Sequence, residues 1–231
     1  MTDSSELRHF RGCPRSVQEL IFLLSSDLRR YSGRPSPKNF LKHYLFSPGF
    51  KCTVWIRLCG LLLYKKWTRY SLYIPAKLIL LRLRVKYGIA IPEYTVIGPG
   101  LFINRFGGIY VHGDAVIGSN VNMTHGTVLG MMNRGKRPGA PTVGDRVFFG
   151  AGAMATGGIH IGDDAAVGAR ALVTRDVEAH TAVGGNPAVV ISQHGSEGYI
   201  NNQVDPRPYA KFAASRDGST GSHRGLDVAP T

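Results

Sequence analysis

The chain has 231 residues, a length that suits one main domain with an accessory segment. Its 28 Lys and Arg against 15 Asp and Glu give a formal net charge of +13. The excess lies in residues 1–90, which hold 17 basic and 4 acidic side chains, whereas residues 91–231 hold 11 of each. This distribution argues against a nucleic-acid groove along the second part, and it predicts that the first part meets something acidic.

Three cysteines, Cys13, Cys52 and Cys59, lie in the basic part at spacings that fit no metal site. Their odd number and the lack of a signal peptide predict reduced thiols in a cytoplasmic protein that needs no metal. The apolar runs around Leu61–Tyr64 and Leu78–Leu83 are short and interrupted by Lys and Arg, so no transmembrane span is predicted.

Residues 1–90 are predicted to form a basic helical segment, with a first helix near Val17–Arg30. Two basic amphipathic helices are expected between Phe50 and Lys86, broken near Pro75. Their apolar positions are Val54, Leu58, Leu61 and Leu62 in the first helix and Leu78, Leu81 and Val85 in the second. Two compatible roles stay open, a cap over the end of the following domain and contact of residues 38–90 with an anionic membrane surface.

A six-residue period runs through residues 91–191. The apolar residues that keep it are Ile97, Ile103, Val111, Ile117, Met123, Leu129, Val143, Phe149, Ala155, Ile161, Val167, Val173 and Ala179. A hexapeptide period predicts a parallel β-helix, in which three hexads make one triangular coil and these residues point inward. Residues 192–231 are rich in Gly, Ser, Asp and Pro without a period, and they are predicted to be a loosely ordered tail.

The period is interrupted twice. The step from Ile103 to Val111 is eight, which places two extra residues within Arg105–Gly108, and a longer step leaves a loop within Met131–Pro141. Insertions in a rigid solenoid are where function is expected. The loop carries three cations, among them Lys136, that either meet the phosphates of a ligand or form a solvated basic surface.

Counting by coils predicts that His125 stacks one coil from Arg105, beside the first interruption. Adjacent coils lie about 4.8 Å apart, as in any sheet. The next coil has the small residues of Gly150–Ala153 at this place, which leaves room for a ligand along the backbone.

Three stretches resemble the hexapeptide-repeat acetyltransferases: IPEYTVIGPGLFINRFGGIYVHGDAVIG, GAPTVGDRVFFGAGA and GGNPAVVI. The branch that looks most similar is the serine acetyltransferase-like O-acetyltransferases of bacterial polysaccharide biosynthesis, and the resemblance covers roughly residues 38–191. It implies a mainly β fold, a left-handed β-helix preceded by a short α-helical segment. It also implies a homotrimer, acetyl-CoA as donor, and active sites between neighbouring subunits.

The resemblance also implies which residues do the chemistry. The family has a general-base histidine in the segment that reads GLFINRFGG here, where Arg105 takes its place. Asn104 and Ala140 stand where serine acetyltransferases have an Asp and a second His. Because Arg stays protonated, it can hold an anion or stabilise an oxyanion but not act as a base. His125, where the family usually has Gln, is then the predicted base, with His112 as a further candidate. That His125 is only a turn residue, or that another base acts, stays open.

For acetyl-CoA, the matching positions supply small residues and cations. The small residues are Gly130, Gly152, Ala153, Gly168 and Ala169, and the cations for the phosphates are Arg170, Arg175 and Lys136. The leading prediction is an O-acetyltransferase that acts on a hydroxyl of a sugar or saccharide precursor. The alternatives are serine O-acetyltransferase of cysteine biosynthesis and a catalytically degenerate trimeric scaffold.

Overall fold

The computed structural model describes residues 10–217, with side chains to residue 212. The helices are α1 (Val17–Ser32), α2 (Pro37–Phe46), α3 (Pro48–Tyr64), α4 (Lys66–Arg69), α5 (Tyr73–Tyr87) and α6 (Arg207–Asp217). The strands are β1 (Ile89–Ala90), β2 (Val96–Ile97), β3 (Phe102–Ile103), β4 (Ile109–Val111), β5 (Val116–Ile117), β6 (Asn122–Met123), β7 (Val128–Gly130), β8 (Thr142–Val143), β9 (Phe148–Phe149), β10 (Met154–Thr156), β11 (His160–Ile161), β12 (Ala166–Val167), β13 (Leu172–Val173), β14 (Ala182–Gly184) and β15 (Val189–Ser192).

The strands form the three faces of a left-handed parallel β-helix, as predicted. The first face has the order β1-β4-β7-β10-β13, the second β2-β5-β8-β11, and the third β3-β6-β9-β12-β14, closed by antiparallel β15. Met154 of β10 pairs with Leu172 of β13, which confirms three hexads per coil. Parallel backbone hydrogen bonds therefore join each coil to its neighbours only.

The inward residues of the period stack into columns. Ile103, Met123, Phe149 and Val167 pair in register along the third face, and each is buried. The prediction fails at Ala179, which is exposed. Ile161 pairs with Val177 instead. The turn after Val173 contains fewer residues than the period requires, so the next inward residue comes before Ala179.

The N-terminal helices differ from the prediction, because α2 and α4 were not predicted and one boundary was misplaced. Helix α1 begins at Val17, where the Ser16 hydroxyl accepts a hydrogen bond from the Glu19 backbone N–H. The predicted break near Pro75 is wrong, since α3 ends at Tyr64 and Pro75 lies in the first turn of α5. A proline is tolerated there because the first turn of a helix needs no donor to a preceding carbonyl.

The buried face of α5 also differs from the prediction. Leu78, Leu81 and Val85 were expected to form its apolar face, yet all three are exposed, and Ala76 and Leu80 are buried in their place. These two join the β-helix core together with residues of α3. Among residues 10–217, no helix combines the length and hydropathy needed to cross a bilayer.

A buried ion pair fixes α1 and α3 to the first coil. Asp27 of α1 and Arg57 of α3 approach to 3.2 Å, and neither is more than a few per cent exposed. The Asp27 carboxylate accepts hydrogen bonds from the backbone N–H groups of Gly100 and Leu101 at 3.0 and 2.9 Å. Arg57 donates to the carbonyl of Ile97 at 2.7 Å. Both side chains therefore hydrogen-bond backbone groups of a turn of the β-helix as well as each other.

Part of the predicted loose tail is packed. The side chain of Asn120 exchanges two hydrogen bonds of 2.8 Å with the backbone of Val204, and Ile200 is buried. Tyr199 stacks on Phe148 of the third face. These contacts hold residues 199–204 against the side of the β-helix. They join residues that are far apart in the sequence, so composition does not reveal them. Residues 218–231 of the predicted tail lie outside the described residues.

A second ionic cluster binds α5 to the first coil through Glu93. Its buried carboxylate accepts hydrogen bonds from Tyr73 and Lys77, both at 2.6 Å, and from Arg84 at 2.9 Å. Burial raises the pKa of Glu93, but the hydrogen bonds from Lys77 and Tyr73 outweigh it and hold the pKa below its ordinary value.

Replacing Glu93 by Gln should lower the free energy of unfolding by about 3 kcal/mol at neutral pH, because two cations lose their buried partner. A depressed folded-state pKa contributes stability above the unfolded value of 4.5 and loses it as pH falls through the folded value. Urea denaturation between neutral and acidic pH should therefore show a steeper acid loss in the wild type than in Glu93→Gln. Asp205→Asn, which removes an exposed pair, should leave the profile unchanged. Identical pH slopes for wild type and Glu93→Gln would contradict this role.

Candidate active site

The turn between the third and the first face gathers one set of predicted residues, and we call it corner one. Its equivalent positions in successive coils are residues 107–108, 125–126, 151–152 and 169–170. The ladder is direct, since Gly126 N–H donates to the Gly107 carbonyl, and Gly152 N–H to the His125 carbonyl, both at 2.8 Å. His125, Gly152, Ala169 and Arg170 therefore lie on one edge of the β-helix.

The first interruption is a bulge just before corner one. The backbone N–H of Asn104 still donates to Met123 at 3.0 Å, and the ladder resumes at Gly107. The two extra residues are therefore Arg105 and Phe106, which are exposed together with Asn104. The prediction that Arg105 stacks on His125 is wrong, because Gly107 holds that position. Its φ of 105° suits glycine, which lets the chain turn back after the bulge.

The side chain of His125 is exposed at corner one. Within residues 10–217, no hydrogen bond or ion pair engages its imidazole, so both ring nitrogens are available to a ligand. The bulge with Arg105 and Asn104 emerges next to Gly107, one coil spacing of about 4.8 Å from His125. The structure thus brings three of the predicted catalytic residues to one edge.

His112 is less suited to act as a base. It is partly buried, and its Nδ1 accepts a hydrogen bond of 3.2 Å from the backbone N–H of Asp114. A neutral imidazole that accepts at Nδ1 carries its proton on Nε2. Its outer nitrogen is then a donor, whereas a general base must present a lone pair.

The predicted cofactor residues at corner one differ in accessibility. Gly152, Gly168 and Ala169 reach the surface, and Arg170 is exposed. The prediction for Ala153 is wrong, because its methyl group is wholly buried in the core between coils. Its position in the hexad explains this, since it is the second inward residue.

Corner one also offers backbone donors. Among the described residues, the N–H groups of Ala151 and Ala169 donate to no protein acceptor. Both belong to partly or fully exposed turns with small side chains, so a ligand can approach them closely. Two amides one coil apart suit a ligand with carbonyl groups along an extended chain.

The other predicted residues lie at the turn between the first and second faces, which we call corner two. Gly130 pairs with Thr156 there, and His112 stands one coil below Gly130. The loop Met131–Pro141 emerges beside them and is exposed over most of its length, including Lys136. Arg175 lies at the same corner in a later coil, just after the end of β13. His125 and Gly130 are five residues apart, which separates the corners by at most about 18 Å.

Between the corners, the outward residues of the first face form an apolar strip that was not predicted. Its members, paired in register, are Tyr110, Val128, Met154 and Leu172. Tyr110 and Met154 are exposed. The signal was present in the sequence, because the residue before each inward one points outward. An exposed apolar strip flanked by polar corners is typical of a contact surface.

Comparison with known proteins identifies relatives, although no protein-family model matches the chain. A serine acetyltransferase of Helicobacter pylori (strain ATCC 700392 / 26695) is 32% identical over 159 residues, which cover 69% of this chain and 90% of that protein. A serine acetyltransferase of Mycobacterium tuberculosis is 42% identical over 112 residues, 48% of each protein. The match thus spans about half the length of that second relative.

Solved structures give the same result. A serine acetyltransferase from Brucella abortus superposes with a TM-score of 0.65 at 28% identity, over 78% of this chain and 72% of that chain. Soybean serine acetyltransferase complexed with serine gives 0.61 at 33% identity, over 74% and 69%. A complex of the Brucella abortus enzyme with coenzyme A gives 0.66 at 24% identity, over 84% of each chain, and supports the fold alone.

The fold and these relatives place the chain in the hexapeptide-repeat class. The chain belongs to the serine acetyltransferase family. The prediction of a polysaccharide O-acetyltransferase is wrong, because the relatives found by sequence and by structure are serine acetyltransferases. The basic N-terminal segment, which favoured a saccharide acceptor, carries no information about the acceptor hydroxyl.

The tight corner one should not tolerate a side chain at Gly126. Its φ is 72°, and an added Cβ would lie 3.0 Å from the Gly152 Cα. Gly126→Ala should therefore lower the free energy of unfolding by about 2 kcal/mol, which a shifted urea midpoint at constant slope would measure. Arg170→Gly is the matched control, because Arg170 already has a φ of 56° and glycine relaxes it. Equal stability of Gly126→Ala and wild type would contradict the close stacking of this corner.

Proposed function

We propose that the protein is a serine O-acetyltransferase that takes its acetyl group from acetyl-CoA. The observation that carries this proposal is the match to the Helicobacter pylori relative over 90% of that protein. A structural neighbour at 33% identity, the soybean enzyme, was solved with serine. A small hydroxy amino acid also suits an open corner beside the exposed guanidinium of Arg105.

Corner one is the proposed place for the donor. The N–H groups of Ala151 and Ala169, which have no acceptor among the described residues, would bind amide carbonyls of the pantetheine arm of acetyl-CoA. Arg170 on the same corner, with Arg175 and Lys136 from corner two of a neighbouring subunit, would meet its phosphates. The Helicobacter pylori relative is a serine acetyltransferase, which supports an acetyl donor of this kind.

His125 is the proposed general base. Its imidazole takes the proton from the serine hydroxyl while the hydroxyl oxygen attacks the thioester carbonyl carbon. The C–S bond then breaks, and the acetyl group stays on the serine oxygen. The sulfur of CoA takes the proton from His125 and leaves as the thiol. Arg105 would hold the serine carboxylate, a role that suits the planar guanidinium, and Asn104 lies beside it.

The proposal includes the assembly of the protein as a homotrimer. The apolar strip with Tyr110 and Met154 is a surface that a neighbouring subunit would cover. A subunit against the first face would bring its own residues to both corners, and so place the site between subunits. A cytoplasmic location belongs to the proposal as well, since acetyl-CoA and serine are available there.

His125→Ala should lower the turnover of serine acetylation about 100-fold or more, because a positioned base contributes that much to proton transfer. The release of CoA thiol with serine as acceptor measures it. Binding of CoA by calorimetry should stay unchanged, which separates lost chemistry from lost folding.

His112→Ala is the matched control and should keep most of the activity, because its outer nitrogen is a donor. Turnover of His125→Ala near the wild-type value would overturn the assignment of the base. Arg105 stands where the family has its base, and this favours a second candidate function, an acetyl-CoA-binding trimer without turnover. Wild-type protein that binds CoA but acetylates no serine would establish that function instead.

Ala169→Trp should weaken the binding of CoA at least about tenfold, because the indole would cover the backbone donors of corner one. Ala179→Trp is the control, since Ala179 is an exposed turn residue at another corner. Titration calorimetry of both variants checks the prediction. Equal affinities would place the donor elsewhere.

A further inference from the structure

The region from α4 to α5 presents an apolar surface to solvent. Trp67 is 96% exposed and Tyr70 is 80% exposed. On α5, the apolar residues Ile74, Leu78, Leu81 and Val85 are exposed as well. We call these six residues the outer helix surface. An exposed cluster of this size on a folded protein marks a contact site.

The residues of α5 in this surface form a continuous stripe. Ile74, Leu78, Leu81 and Val85 follow one another at steps of four, three and four, which places them on one side of a helix. Ala76 and Leu80, which are buried, lie on the opposite side and pack on the core. Helix α5 is therefore apolar on both sides, although its core contact needs only one of them.

The charges around the stripe are all positive. Residues 28–92 contain 14 Lys and Arg and no Asp or Glu. Lys65, Lys66, Arg82 and Lys86 are exposed beside the outer helix surface. None of these four forms an ion pair within residues 10–217.

We propose that the outer helix surface docks on an anionic lipid bilayer, with α5 lying in the plane of the interface. An apolar stripe with flanking Lys and Arg is what such helices require, since the apolar side enters the headgroup region and the cations meet lipid phosphates. The exposed rings of Trp67 and Tyr70 suit the boundary between water and hydrocarbon.

A second copy of the chain is a poorer occupant. A two-fold contact through this surface would bring the four cations of one copy against the same four of the other. Juxtaposed like charges disfavour an interface, and no acidic residue within 28–92 is present to offset them. An anionic bilayer neutralises the same charges.

Sedimentation of the full chain with lipid vesicles tests the proposal. Vesicles with about 30% phosphatidylserine should bind the protein at low salt, and vesicles of phosphatidylcholine alone should bind it weakly. The doubly substituted Arg82→Gln, Lys86→Gln protein should lose about 25-fold in partition coefficient, about fivefold for each charge. Leu78→Ser with Val85→Ser should lose at least about tenfold, since both side chains would otherwise leave water.

Val189→Ser with Val190→Ser is the matched control, because both valines are exposed on β15 at the other end of the β-helix. Trp67 gives a second readout in a Trp55→Phe background, where vesicles should shift its emission to shorter wavelength. Unchanged circular dichroism shows that each variant folds.

Three results would overturn the proposal. One is equal binding to neutral and anionic vesicles, or binding to neither. Another is an equal loss of binding in the β15 control. The third is a change in oligomer mass caused by Leu78→Ser with Val85→Ser, which would show that another copy covers this surface. Vesicle binding requires no turnover, so its outcome does not depend on the proposed acetyl transfer.

Discussion

The ladder of parallel backbone hydrogen bonds between coils is the constraint on which the structure depends. Each coil contacts only its neighbours, so an extra residue inside a coil would break the stacking of every inward side chain above it. The chain therefore extrudes extra residues at the corners, as the bulge at Arg105 and Phe106 and the loop Met131–Pro141 show. Because extruded residues carry no part of the core, they are free to bind ligands. The rigid ladder thus produces both the fold and the places where chemistry can occur.

The same ladder explains why corner one suits an extended ligand. Equivalent turn positions repeat at one coil spacing, so the amides of Ala151 and Ala169 lie in one column with His125. Small residues keep this column open, while Gly126 and Gly152 let consecutive coils approach closely. A base at His125 would stand on the same rigid column as the donor site, which is how a solenoid can position reacting groups without a deep cavity.

The period predicted the β-helix and its columns because inward stacking imposes a spacing that the sequence has to keep. The period could not show which two residues within Arg105–Gly108 are extra, since the spacing of the inward residues is the same for each choice. The hydrogen bond from Gly126 to the Gly107 carbonyl shows that they are Arg105 and Phe106. Helix α5 was harder, because apolar residues occur on both of its sides. Only the contacts of Leu80 and the ion pairs to Glu93 show which side is buried. The acceptor could not be predicted at all, since the period describes the core and says nothing about the hydroxyl that binds.

The acids at the two ends of the acid-free stretch link the fold to its charge. Asp27 precedes this stretch and Glu93 follows it, and both are buried against cations that come from within it. They hold α1, α3 and α5 on the first coil by pairing with Arg57, Lys77 and Arg84. Because each acid is used in the junction, none remains to neutralise the outward cations of the helices. The arrangement that fastens the helices to a neutral β-helix is therefore also the reason that their outer side stays strongly positive.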